Sequence, residues 1–259
     1  MLNVSFEIMK SIFKVCVMYA FMVAISGGVS AATLSGAGTR DSLIEQEDLG
    51  FLTLGIDYQN QQRDINTSSQ GQMRLKSNTI DGYIGVDPCQ WLTIFATLGG
   101  TAAKVTEVMP AYNDVKFQWS AGFDVNWWRY HIAEPEFLDG QLSLKTHAEF
   151  DMHNSGAGDT RVDWDEYFAA LLVNYETLAI RGQDISQCPH SLVLYVGPAL
   201  SWLSGNYYQS AGRKTDFHEA HVFGVVGGAE VFVFYDLSVG ASIQYYDAVT
   251  VDVGTRYHF

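Results

Sequence analysis

The stretch Val249-Thr250-Val251-Asp252-Val253-Gly254-Thr255-Arg256-Tyr257-His258-Phe259 alternates in character from residue to residue. Successive side chains of an extended strand point to opposite faces, so Val249, Val251, Val253, Thr255, Tyr257 and Phe259 share one face and Thr250, Asp252, Gly254, Arg256 and His258 the other. One face suits hydrocarbon and the other water. The preceding segment repeats the pattern, with Leu237, Val239, Ala241, Ile243 and Tyr245 set against Ser238, Gly240, Ser242, Gln244 and Tyr246. Only Asp247 and Ala248 separate the two segments, which predicts a tight hairpin.

The same two-residue period returns earlier in the chain. Phe117, Trp119, Ala121, Phe123, Val125 and Trp127 alternate with Gln118, Ser120, Gly122, Asp124 and Asn126. Leu142, Leu144, Thr146, Ala148, Phe150 and Met152 likewise alternate with Ser143, Lys145, His147, Glu149, Asp151 and His153. Weaker versions run through residues 51–60, 74–86, 91–103, 163–175, 191–204 and 217–233, so ten strands are expected within residues 50–259. Beyond the first thirty residues no stretch holds the roughly 18 consecutive apolar residues that a membrane-spanning helix needs.

Alternation alone says that one face is dry, and a soluble sandwich shares it. Two features favour a transmembrane barrel. Phe117 and Trp127 lie ten positions apart on one face, a span of about 25 Å at ~3.3 Å per residue and ~40° tilt, which is the height of an outer-membrane apolar band. The opposite faces carry charge deep within strands, at Asp57, Asp81, Asp124, Lys145, Glu149, Glu230 and Asp252. A dry sandwich core could not hold those charges, whereas a wet lumen can. The closing run Val253-Gly254-Thr255-Arg256-Tyr257-His258-Phe259 then resembles the C-terminal signal of bacterial outer-membrane β-barrel proteins, whose last strand ends in an aromatic residue read by the insertion machinery. The resemblance implies an all-β, antiparallel up-and-down transmembrane β-barrel in the bacterial outer membrane. It also implies Tyr257 and Phe259 as the insertion signal, and outer-membrane lipid and the barrel-insertion machinery as partners.

Residues 1–31 read as a cleaved secretory signal, with Lys10 and Lys14 ahead of an apolar run from Val15 to Ile25 and small residues at Val29-Ser30-Ala31. Residues 32–49 lack periodicity and read as an irregular extension. Fifteen basic against 29 acidic residues, a net charge of −14, exclude an electropositive nucleic-acid-binding surface. Cys89 and Cys188 remain after the signal as a candidate disulfide in an oxidising compartment.

With both barrel ends in the periplasm, residues 61–73, 104–115, 154–162 and 205–216 become the expected outer loops, and 87–90, 129–141, 176–190 and 234–236 the periplasmic connections. Both cysteines then fall on the periplasmic side, where a bridge would strap that mouth. The expected lumen holds Asp57, Asp81, Asp124, Glu149, Asp151, Glu166, Glu230 and Asp252 against Lys145 and Arg256, with His147 and His258 titratable. Such a carboxylate excess fits passage of small cations. It fits equally a narrow barrel filled by its own cross-linked side chains. A third possibility is a surface-binding barrel that holds an extracellular ligand in its outer loops.

Met152-His153-Asn154-Ser155-Gly156 resembles a fragment of the His-x-Ser-Asn-Gly motif of outer-membrane phospholipase, with Gly156 where that motif has Asn and His153 on the lumen face. No phosphate loop, zinc spacing or calcium loop is visible, so neither metal nor cofactor is expected. The expected role is structural or small-solute passage rather than enzymatic. The face assignment is directly testable. Val251→Arg should lower stability by about 2–4 kcal/mol if the site lies near the bilayer midplane, whereas Asp252→Asn should fold normally. A denaturant titration of the barrel in lipid vesicles measures both, and the reverse ranking would mean the faces are exchanged.

Overall fold

A computed structural model of the chain describes residues 51–259 apart from 69–70, 107, 110, 135–137, 158–159, 179–190, 210–212 and 235. The signal segment 1–31, the extension 32–49 and Cys188 lie outside the described residues. The rest is strand and turn. In chain order the strands are β1 (Leu52–Thr67), β2 (Gly71–Cys89), β3 (Leu92–Val105), β4 (Lys116–Glu134), β5 (Leu138–Ala157), β6 (Thr160–Leu178), β7 (Ser191–Gln209), β8 (Arg213–Glu219), β9 (Phe223–Phe232), β10 (Leu237–Tyr245) and β11 (Val249–His258).

Each strand from β1 to β7 pairs antiparallel with the next, and β9, β10 and β11 carry the sheet back to β1. The register runs from Thr53↔His258 to Asn60↔Val251, which closes the sheet into a barrel. β8 and β9 both lie against β7, at Ser204–Gln209 and Ser191–Leu200, so they are two halves of one strand broken at residues 220–222. Counting them as one gives the ten strands expected from the period. The rim carrying both ends of the barrel is called the near rim below, and the opposite one the far rim.

Large apolar side chains stand outward in a belt. Its near edge carries Trp91, Trp127, Trp128, Tyr130 and Tyr257, and its far edge Phe117, Tyr167, Trp202, Phe223 and Tyr245. A register shift between Asn126 and Trp128 turns both tryptophans outward, 66% and 54% exposed. Aromatic girdles at the two edges of an apolar band are what a bilayer interface selects.

The strands outrun that belt. β5 is 20 residues long, which at ~3.3 Å per residue and ~40° tilt reaches about 50 Å, twice the height of the band. The expected outer loops 61–73, 154–162 and 205–216 are therefore mostly strand. The far-rim connections shrink to 68–70, 158–159, 210–212 and a longer one at 106–115. The expected connection 129–141 is also mostly strand, since β4 reaches Glu134 and β5 starts at Leu138. The turn at the end of β1 depends on Gly71, whose φ of 80° is a left-handed conformation open to glycine.

Beyond the belt the two faces exchange character while the two-residue period continues. Within the belt β2 turns Ser77, Thr79 and Asp81 inward and Ile80 and Ile84 outward; beyond it, Met73 and Leu75 are buried and Arg74 and Lys76 face out. The far end therefore has a dry core of its own, built from Ile65, Leu75, Val105, Trp164, Leu203 and Phe217 among others. The 106–115 connection folds into it. Met109 N and Asn113 N donate to Val105 O and Ala103 O at 2.8 and 2.9 Å, and the Met109 side chain is 4% exposed.

The number of strands also changes with height. Ile65–Thr67 of β1 pair with Glu219–Phe217 of β8, so the far end closes as a ring of eight, β1 to β8. Nearer the other rim the β10–β11 hairpin sits between β9 and β1 and makes the ring ten. Its ladder ends at Tyr245↔Val249, leaving a three-residue tip at 246–248 rather than the two residues expected. Asp247 binds this tip to the joint: its Oδ2 accepts from Asp64 N at 2.8 Å and its Oδ1 from Ala248 N at 2.7 Å. Asp64 O in turn accepts from Ala220 N at 3.0 Å. Replacing Asp247 by Ala should cost about 1 kcal/mol, because a part-buried N–H loses its acceptor. Hydrogen exchange should accelerate at the Asp64 amide in that variant and much less in Asp247→Asn, which keeps an acceptor oxygen. Equal exchange in all three proteins would disprove the patching role.

Candidate functional site in the barrel lumen

The interior of the belt region is crossed by a stack of side chains from five strands. The Arg256 guanidinium of β11 lies over the Tyr83 ring of β2 at 3.9 Å. Tyr83 stacks on Phe95 of β3 at 5.5 Å, and Phe95 on His147 of β5 at 5.3 Å. His147 then meets the edge of Phe168 of β6 at 5.6 Å. Gly122 makes this crossing possible, since a Cβ there would collide with the Phe95 ring and the Ala148 carbonyl. Carboxylates pin the polar ends of the stack. Asp57 Oδ2 is 3.3 Å from Arg256, while Asp124 Oδ1 and Glu149 Oε2 face the two nitrogens of His147 at 3.0 and 3.4 Å.

A second layer sits farther from the near rim and centres on Arg63, whose side chain is 0% exposed. It reaches Glu166 at 3.1 Å, Glu219 at 3.6 Å and Gln244 at 3.3 Å, and lies 3.7 Å from the centre of the Tyr246 ring at the hairpin tip. The Ser201 hydroxyl lies between the two carboxylates, 2.9 Å from Glu166 and 2.6 Å from Glu219, and its single proton serves one of them at a time. Glu219 Oε2 also accepts from Leu203 N at 3.1 Å, next to the break between β8 and β9. Two buried carboxylates sharing one guanidinium and a set of hydroxyl and amide donors form a network in which removal of a single member strands the others.

Toward the near rim, Glu230 accepts from Ser238 at 2.6 Å, and Asp252 accepts from Ser242 at 2.6 Å and Gln244 at 3.2 Å. His258 stacks on Phe232 at 5.4 Å. Asp81 accepts from Gln118 at 2.9 Å, and Lys145 is buried on the same face of β5 as His147. Between the stack and the Arg63 layer lies a cavity of about 50 Å³, bordered by Asp57, Asp81, Asp151, Glu166 and Gln244. It has room for a few waters.

The sequence-expected lumen residues Asp57, Asp81, Asp124, Lys145, His147, Glu149, Glu166, Glu230, Asp252 and Arg256 are all found on inward faces. Most carboxylates are tied to a base, hydroxyl or amide. Tyr257 and Phe259 stand exposed at the near edge of the belt with their rings edge-to-face at 4.7 Å. Cys89 is the last residue of β2, and its candidate partner Cys188 lies outside the described residues. His153 stacks on Trp164 at 4.6 Å with its Nδ1 3.2 Å from Thr101 Oγ1. Ser155 Oγ accepts from Ala103 N at 2.8 Å and donates to Asp114 O at 3.3 Å. Sequence reasoning missed Arg63, which lay in an expected loop, and Glu219, Tyr83, Phe95 and Phe168. Gln61-Gln62-Arg63-Asp64 is a run of four polar residues without an apolar alternation, so the continuation of β1 past residue 60 carried no local signal.

No family model and no curated protein matches the chain. Among solved structures it is similar to the transport unit of the autotransporter AIDA-I from Escherichia coli, at 12% identity, covering 84% of this chain and 93% of that one with a TM-score of 0.43. It is also similar to the translocator domain of the autotransporter NalP from Neisseria meningitidis, at 12% identity, covering 96% and 98% with a TM-score of 0.33. A mutant of Rh. blastica porin is matched at 10% identity, covering 80% and 100% with a TM-score of 0.16. The closed sheet, the apolar girdled belt and the charged interior define the class from the chain itself: it is a bacterial outer-membrane β-barrel.

The Arg63 layer yields a test of what holds the lumen together. Arg63→Met should destabilise the barrel by about 3–5 kcal/mol, because Glu166 and Glu219 are left buried without their cation. Adding Glu166→Gln and Glu219→Gln to Arg63→Met should recover most of the loss in a denaturant titration. If the triple variant is no more stable than the single, the layer is not held by charge.

Proposed function

We propose that the protein is a closed, non-enzymatic structural barrel of the outer membrane that does not conduct solutes. The observation that carries this reading is a pair of barriers in series. The hydrogen-bonded Arg63 layer is followed toward the far rim by the dry core around Leu75, Trp164 and Phe217. A hydrated cation would have to leave its water at the second barrier, where apolar side chains offer no replacement ligands. The carboxylate excess that suggested a cation path is largely spent on local partners.

The other readings have weaker support. Ser155 binds the backbone of the 106–115 connection and His153 stacks on Trp164, an arrangement suited to holding the cap rather than to nucleophilic chemistry. Three of the four far-rim connections are two or three residues long, and the fourth folds inward, which leaves little loop for adhesion. With the near rim in the periplasm, the far end is a rigid β-cap displayed on the cell surface. In planar bilayers, inserted full-length protein should give no discrete conductance steps in potassium chloride. Reproducible cation-selective steps would refute the closed-barrel reading.

A further inference from the structure

We propose that the outer wall of β2 and β3, just beyond the far edge of the belt, binds the phosphate of a lipid headgroup between Lys76 and Lys104. The inference rests on the membrane-spanning reading above, with the near rim in the periplasm.

The two lysines are direct cross-strand partners, Lys76↔Lys104, and both are partly buried on the outward face. Like charges placed opposite each other on a sheet destabilise it unless an anion lies between them. Neither lysine contacts a carboxylate among the described residues, in a chain with 29 acidic and 15 basic residues. Three other cations near the far rim are paired with carboxylates: Arg74 with Asp64 at 2.6 Å, Arg161 with Asp163 at 2.6 Å and Lys214 with Asp216 at 3.4 Å.

The height of the pair selects the anion. Lys76 lies four residues beyond the exposed Ile80, about 10 Å along the membrane normal for a strand tilted ~40°, close to the outer part of the headgroup layer and within reach of a flexible lysine stem. The surroundings are built for an oxyanion. Lys104 Nζ is steadied over the Tyr112 ring at 4.5 Å. Gln62 lies across from Lys76 on its other side. Asn78 Oδ1 accepts from both Asn60 Nδ2 at 2.7 Å and the Tyr58 hydroxyl at 3.3 Å, which commits the oxygen and leaves the Asn78 amide nitrogen as a donor. Two ammonium groups and side-chain amides at one level make a phosphate clamp.

The test uses the full chain folded in detergent and native mass spectrometry to count bound lipid. The probes are a monophosphorylated glucosamine-based glycolipid, its dephosphorylated counterpart, and inorganic phosphate. One lysine near an anionic group is worth about fivefold in binding, so the wild type should retain the phosphorylated lipid roughly tenfold or more over the dephosphorylated one. Lys76→Gln/Lys104→Gln should lose that preference, and Lys214→Gln should keep it. Absence of a preference in the wild type, or its survival in the double variant, overturns the site. Displacement of the lipid by an equal concentration of inorganic phosphate reassigns the clamp to a soluble anion and overturns the lipid assignment. Heat-modifiable gel mobility, read on the same chain in vesicles, reports folding and insertion independently of lipid phosphate. Failure there overturns the membrane reading itself, whereas insertion without phosphate preference overturns the clamp alone.

Discussion

A peptide N–H or C=O withdrawn from water, whether by lipid or by the packed wall of a barrel, needs an internal partner, and each one left bare costs free energy. That requirement governs β1 above all other strands. Its lower part is satisfied by β11 and its upper part by β8, and between the two no single strand can serve. Asp247 fills the gap on that side by accepting from Asp64 N. On the other side of the break, Glu219 accepts from Leu203 N while Val222 O takes Ser201 N at 2.9 Å. A carboxylate stands in for a missing peptide carbonyl at each place where the ladder changes partner. The Arg63 layer is then needed to keep Glu219 compensated, so the polar interior at this height follows from the backbone problem and needs no solute to explain it.

The interior is better described by height than by a single polarity. Within the membrane a charged inside and an apolar outside are stable because lipid surrounds the wall. Beyond the membrane the surroundings are water, and the same alternating strands stay stable only if the apolar set turns inward, as Met73, Leu75, Trp164 and Leu203 do. Each long strand therefore belongs to two proteins at once, a membrane barrel below and a soluble barrel above. Their common boundary runs through Gln61, Ser77, Glu166 and Ser201, where hydrogen-bonding side chains take both roles.

Fold class, the number of strands and the faces of β4, β5, β10 and β11 were legible because these segments keep one polarity over the whole width of the bilayer. Asp124, His147 and Asp252 stand out as charges on otherwise regular strands, so their inward position could be read directly. Arg63 and Met73 could not. At Ser77 the apolar set moves to the other face, and a reader looking for outward apolar residues takes the continuation for a loop. The broken eighth strand was hidden for a different reason. Residues 217–233 alternate well enough to pass for one strand, and the break at Ala220-His221-Val222 is caused by the hairpin inserted beside it, a relation between distant segments that no local pattern contains.

The change from ten strands to eight bears on the order in which the barrel can be made. Residues 52–219 contain every strand of the far ring, including the β1–β8 contact that closes it. Joining β1 to β8 spans about 150 residues and joining it to β11 about 200, a difference in loop-closure entropy of only about 0.3 kcal/mol. Chain entropy is thus nearly indifferent to which seam forms first, and the apolar core buried by the far ring tips the choice. The small ring can exist before the hairpin arrives, with β1 and β9 splayed below it like an open lapel. The β10–β11 hairpin then enters as a preformed gusset between them, and the lower seam is sewn last.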